Sequence, residues 1–122
     1  MKKYLIISTT NDVIRIAPER IVYISSDGNY CNIYKTDNES KLITYQLGQI
    51  EKIISSQLGN EGSAFIRIGK SYIVNRSYIY YINITRQKLV LSDVSSFTYT
   101  ISPSKEALKL LKEMIEKEVS HE

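Results

Sequence analysis

The stretch Phe65-Ile66-Arg67-Ile68-Gly69-Lys70-Ser71-Tyr72-Ile73-Val74-Asn75-Arg76-Ser77-Tyr78-Ile79 decides how the chain is read. Apolar residues alternate with Arg67 in Phe65–Ile68, and Ser71–Val74 is β-branched and aromatic, so both pieces read as short strands. Gly69-Lys70-Ser71 breaks the run between them. A glycine there permits a bend, and the lysine that follows projects from it. A cation on a turn between rigid strands is well placed to reach a phosphate or the edge of a base.

Outward from this segment the same grammar repeats. Further strand candidates are Tyr4–Ser8, Val13–Ile16, Arg20–Ser25, Tyr30–Lys35, Lys41–Tyr45, Tyr78–Ile84, Lys88–Leu91 and Phe97–Ile101. A spacing near ten residues suits an all-β sheet, sandwich or barrel arrangement. Asp27-Gly28-Asn29, Asp37-Asn38-Glu39-Ser40 and Asp93-Val94-Ser95-Ser96 mark turns. Ten of the twelve aromatic residues are tyrosines, which pack their rings in strands while the hydroxyl reaches water.

Two stretches are helical. Leu47, Ile50, Ile53, Ile54 and Leu58 recur at helical spacing before Gly59-Asn60, predicting a short amphipathic helix. A second runs from Pro103 to about Val119, with Ser102 as cap, Pro103 at the first helical position and Glu106 in the first turn. Its apolar stripe is Ala107, Leu108, Leu111, Met114, Ile115 and Val119, widened by Leu110; it packs on its own sheet or, alternatively, mediates dimerisation. The expected fold class is therefore mainly β with two helices, about ten short strands in small sheets closed by a C-terminal amphipathic helix. No linker divides residues 1–122, so one domain is expected.

The net charge of +3 is unevenly spread. Phe65 to Leu91 holds five cations (Arg67, Lys70, Arg76, Arg86, Lys88) and no acid, whereas Glu106 to Glu122 holds five acids against three lysines. A local cationic field attracts polyanions whatever the charge of the whole chain, although a solvated basic face is the alternative. Cys31 is the only cysteine, so no internal disulfide can form, in keeping with a reducing cytoplasm. Tyr4-Leu5-Ile6-Ile7 is too short for the apolar part of a signal peptide, and nothing approaches a membrane span. The expectation is a cytoplasmic protein without membrane partners.

Catalytic chemistry finds little to work with. The only histidine, His121, is next to the end of the chain, where fraying is expected, so Cys31 has no imidazole to activate it and no His/Cys metal cluster can assemble. Gly69-Lys70-Ser71 looks like the end of a phosphate-binding P-loop, but the motif's first glycine falls on Ala64 and Tyr72-Ile73-Val74 reads as strand. A P-loop needs a helix N-terminus aimed at the phosphate. The residues argue for a binding protein with no cofactor and no metal.

The central run resembles the signature of the LytTR family of bacterial DNA-binding domains, roughly Phe-x-Arg-hydrophobic-His-(Arg/Lys/Asn)-Ser-aromatic-hydrophobic-Val-Asn. Glu19-Arg20-Ile21-Val22-Tyr23-Ile24 followed by Asp27-Gly28-Asn29-Tyr30 is similar to the family's early strand pair and turn. Leu47–Ile54 matches its short helix, Lys88–Leu91 its late strand, and Ile101-Ser102 with the closing helix its terminal section. The resemblance covers about residues 13–116. It implies a transcriptional regulator that inserts loops into the major groove of double-stranded DNA, commonly at direct-repeat half-sites, with a homodimer on DNA as one possibility. On that resemblance Lys70 stands where the family places a DNA-contacting residue, and Asn29 and Tyr30 lie in a second contacting turn. Arg67, Ser71 and Asn75 match the motif, with Asn75 and Tyr72 also readable as structural, since an asparagine ending a strand commonly makes a turn. Arg76 is a phosphate contact on charge alone.

Two positions depart from the pattern. The family's histidine is Gly69 here, and the arginine expected after Ser102 is Pro103. Lys105 is the substitute nearest to that second position, and the capped start of the helix at Ser102–Ser104 is a further place for a phosphate. The departures thin the base readout and favour a rival expectation, a β-rich protein-interaction module that has lost operator specificity. About a dozen residues precede the matched region, too few for the receiver domain that usually accompanies it, so the signalling partner is unknown.

Overall fold

The structure is a computed structural model that describes residues 3–120; the expectation for His121 falls outside the described residues. Among the described residues ten strands and two helices form, as the alternation and turn residues foretold. β1 (Leu5–Ser8) and β2 (Val13–Ile16) make a hairpin. β3 (Ile21–Asp27), β4 (Tyr30–Lys35), β5 (Ser40–Ile43), β6 (Phe65–Ile68) and β7 (Tyr72–Asn75) form an antiparallel sheet in the order β5-β4-β3-β7-β6. β8 (Ile79–Asn83), β9 (Lys88–Ser92) and β10 (Thr98–Ile101) form a third sheet with β9 central. The strands match the expected ones to within two residues at each end.

The five-stranded sheet is apolar on both faces, and each face has its own cover. One buries Ile24, Ile33, Ile43 and Ile73 against the β1–β2 hairpin and Leu47, Ile50, Ile54 and Leu58 of helix α1 (Leu47–Leu58). The other buries Tyr23, Ile68 and Val74 against Leu89 and Leu91 of β9 and Leu108 and Leu111 of helix α2 (Lys105–Ser120). Strict alternation would send Ile21 and Tyr23 to the same side. A register shift between them places Ile21 in the first cluster and both Val22 and Tyr23 in the second.

The tyrosines do more than shield a surface. Tyr23 stacks on Tyr34 with centroids 4.3 Å apart, and Tyr99 meets both edge-on at 5.4 and 5.7 Å. Burial among these rings pushes the Tyr23 hydroxyl well above its ordinary pKa. The hydroxyls of Tyr99 and Tyr78 donate to the carbonyls of Lys35 (2.7 Å) and Glu19 (2.5 Å), tying separate segments together instead of simply reaching water.

Helix α1 begins in a reciprocal cap between Gln46 and Gln49 and ends at Gly59, as expected. Helix α2 begins two residues later than the sequence suggested. Ser104, not Ser102, caps it, with its Oγ accepting from the N–H of Ala107 (3.2 Å) and its carbonyl from Leu108 (3.0 Å). Pro103 thus stands outside the helix, buried, and Lys105 is the first helical residue. The stripe of α2 is also narrower than expected, since Leu110 and Val119 are exposed. Among the described residues no helix is long and apolar enough to cross a membrane, and no group of His, Cys, Asp and Glu is arranged to hold a metal ion.

Candidate nucleic-acid interface

Strand register gathers several turns at one end of the five-stranded sheet. Ser25 of β3 faces Tyr72 of β7, so the β3–β4 turn and the β6–β7 turn lie side by side. The N–H of Ser26 donates to the carbonyl of Ser71 at 2.8 Å and fastens the two together. Cys31 faces Ile43, which brings the start of α1 to the same end, where Gln46 Nε2 donates to Asn29 Oδ1 at 3.4 Å. The glycines that open the two turns, Gly28 and Gly69, have φ of +66° and +63°, a region that an L side chain enters only with strain.

Two more segments complete this rim. Gly69, Lys70 and Ser71 line one wall of a groove of about 480 Å³, and Ser102, Pro103 and Ser104 line the other. The β8–β9 turn joins them through Gln87 Nε2, which donates to the Pro103 carbonyl at 3.3 Å. Asn29, Tyr30, Lys70, Ser71 and Lys105 are all exposed there. Arg86, in the β8–β9 turn, is exposed on the same rim. The logic that singled out Lys70, a cation on a turn between strands, also applies to Thr85-Arg86-Gln87, but only the fold brings that turn to Pro103.

The cations of the basic segment divide by what they touch. The Arg67 guanidinium meets Glu51 of α1 at 3.0 Å and donates to the carbonyls of Gly69 (3.1 Å) and Lys70 (3.2 Å). Arg76 follows β7, at the opposite end of that strand from Lys70, and both Nε (2.6 Å) and Nη2 (2.5 Å) reach Oε1 of Glu118 on α2. Charge alone had made Arg76 a phosphate contact; its geometry is that of an ion pair remote from the rim. Lys70, Arg86 and Lys105 have no carboxylate partner among the described residues. Asp27 and Glu106 also sit at this end, so the charge is patterned.

The remaining motif residues support the fold. Asn75 is buried, donating from Nδ2 to the Ile21 carbonyl (2.9 Å) and accepting from the N–H of Ser77 (3.0 Å). Tyr72 leans on the Tyr23 ring. Gly69-Lys70-Ser71 is a hairpin turn leading into a strand, so no phosphate-binding loop exists there.

The turn-built rim thus lies at one end of a five-stranded sheet covered on both faces. A sequence model of the LytTr DNA-binding domain matches residues 11–116. The chain belongs to the LytTR family. Its family is one of DNA-binding domains, not an enzyme fold. Among solved structures, LytTR architecture recurs in the LytTr DNA-binding domain of a Bacillus cereus protein described as a methyl-accepting/DNA response regulator. The two share 19% identity and a TM-score of 0.62 over 94% of this chain and 98% of that one, a likeness of fold. No curated protein matches the chain.

Proposed function

We propose that this LytTR domain is a sequence-specific transcriptional regulator of the bacterial cytoplasm that reads duplex DNA with its turn-built rim. The Lys70 turn and the Asn29–Tyr30 turn enter the major groove, while Arg86, Lys105 and Ser71 hold flanking phosphates. The observation that carries this reading is the convergence of three turns and the Ser102–Ser104 segment at one end of the sheet, with Lys70, Arg86 and Lys105 free of carboxylate partners among the described residues. Phosphate contacts set position and base-edge contacts set sequence, and the rim offers both kinds of group. The groove positions left by Gly69 and Pro103 carry no long polar side chain, so readout falls on Lys70 and Asn29. Paired direct-repeat half-sites would let two copies add their contacts along one duplex.

The test is affinity for duplex DNA across a salt series, with Lys70→Ala beside the parent chain. The parent should bind at low ionic strength with a steep salt dependence. Lys70→Ala should weaken binding about tenfold and, if Lys70 also neutralises a phosphate, lower the slope by about 0.9, with thermal stability unchanged because the side chain is exposed. Parent protein that ignores duplex DNA at low salt would leave the protein-interaction reading in possession.

A further inference from the structure

The rim depends on a turn of three residues, Gly69–Ser71, between the paired ends Ile68 and Tyr72. In so short a loop the peptide carbonyls have few hydrogen-bonding partners of their own. Pointing outwards, they would present partial negative charge to a polyanion. Here the carbonyls of Gly69 and Lys70 are both taken by one guanidinium, that of Arg67, through Nε and Nη2. The third arm of the fork, Nη1, is held by Glu51 of α1 at 3.0 Å. Arg67 is half-buried, and its charge is balanced by that carboxylate, so it adds little to the field outside.

We propose that Arg67 and Glu51 form a positioning pair, resting on the DNA-binding reading above. Arg67 touches no DNA; it draws two carbonyls inwards and fixes the Lys70 turn before the duplex arrives. Glu51 serves DNA binding although its charge is negative, because it holds the guanidinium in place. An ordered turn leaves less conformational freedom to be lost on binding. A guanidinium can make the three contacts at once because its donors form a rigid planar fork, which an ammonium lacks.

The pair makes an unusual prediction for charge. Removing an acid near a DNA-binding surface ordinarily tightens binding. Glu51→Ala should instead weaken it several-fold, and Arg67→Gln should weaken it about tenfold, both measured on a mixed-sequence duplex at low ionic strength. Neither should change the slope of log affinity against log salt, because no phosphate contact is lost. In DNA-free protein both variants should speed amide exchange at Lys70 and Ser71, leaving exchange at Tyr23 and Ile24 as in the parent. Tighter binding by Glu51→Ala, or a slope lowered by about 0.9 in Arg67→Gln, would make Arg67 a direct phosphate contact and overturn the proposal. Unchanged exchange at the turn overturns it as well. Failure of the parent chain to bind any duplex is a separate result: it removes the DNA reading, while the exchange data still report whether the pair orders the turn.

Discussion

The two ends of the five-stranded sheet solve the same problem in opposite ways. Both are made of tight turns whose polar groups need partners. At the end distant from Lys70 the partners are internal. In the adjoining β9–β10 loop of the three-stranded sheet the Asp93 carboxylate accepts from the N–H groups of Ser95, Ser96 and Phe97, and in the β4–β5 turn Asp37 accepts from that of Glu39. Asn38 bridges the two loops by donating to the Ser96 carbonyl, and Arg76 is closed off by Glu118. At the rim the backbone is also tied, by Arg67 and by Ser26, but Lys70, Arg86 and Lys105 remain outward and unpaired among the described residues. A turn that spends its side chains on itself gains rigidity; one whose backbone is tied by others keeps its own side chain for a ligand.

Changes at the distant end should therefore cost stability and leave DNA binding alone. The largest such effect is expected at Asn75, where both ends of a buried amide are engaged. Asn75→Ala removes the partner of the Ile21 carbonyl and of the Ser77 N–H, and should lower unfolding free energy by about 2 kcal/mol. Denaturant melts measure that loss. Below the transition, the remaining folded protein should bind duplex DNA as the parent does; a drop in intrinsic affinity would mean that the two ends are energetically coupled.

Acid offers a second way to separate the ends. Three backbone N–H groups, Ser95's foremost, hold the Asp93 carboxyl far below the usual carboxylate range, and the Glu39 N–H lowers that of Asp37. A carboxylate whose pKa is depressed by folding contributes stability that is present above its unfolded value near 3.9. That contribution is lost as the pH falls from there through the folded value. Stability should accordingly decline below about pH 4, and Asp93→Asn should flatten part of the decline while lowering stability near neutrality. A melt series in which Asp93→Asn tracks the parent at every pH would show that the loop does not draw its rigidity from that charge.

The comparison also shows which features a sequence displays. All ten strands were legible, because two-residue alternation and turn residues are local signals. The bulge at Val22 was not, since Ile21-Val22-Tyr23-Ile24 is apolar throughout and only the two covered faces show which residue goes where. The start of α2 was misplaced because Ser102 and Ser104 are both capping residues flanking Pro103, and only the hydrogen bonds at Ser104 choose between them. Lys70 was legible as a cation on a turn. The fates of Arg67 and Arg76 were not, as their carboxylates lie 16 and 42 residues away in the chain. Counting five cations in one segment describes the charge but not which of them are paired, as Arg67 and Arg76 are.

Arg76 makes the sharpest small test of that point. In sequence it is as cationic as Lys70 and only six positions away; in space it follows the far end of β7 and is paired with Glu118. Both partners are more than a third exposed, so the pair is largely screened and should be worth less than about 1 kcal/mol. Arg76→Ala should shift the thermal midpoint little, leave duplex affinity unchanged and leave the salt slope unchanged, whereas Lys70→Ala moves affinity. If the two alanine variants instead lost the same affinity, with the slope falling in both, the duplex would have to reach both ends of β7. Binding would then follow the total charge of the segment, and the division between a self-contained end and an open rim would lose its functional meaning.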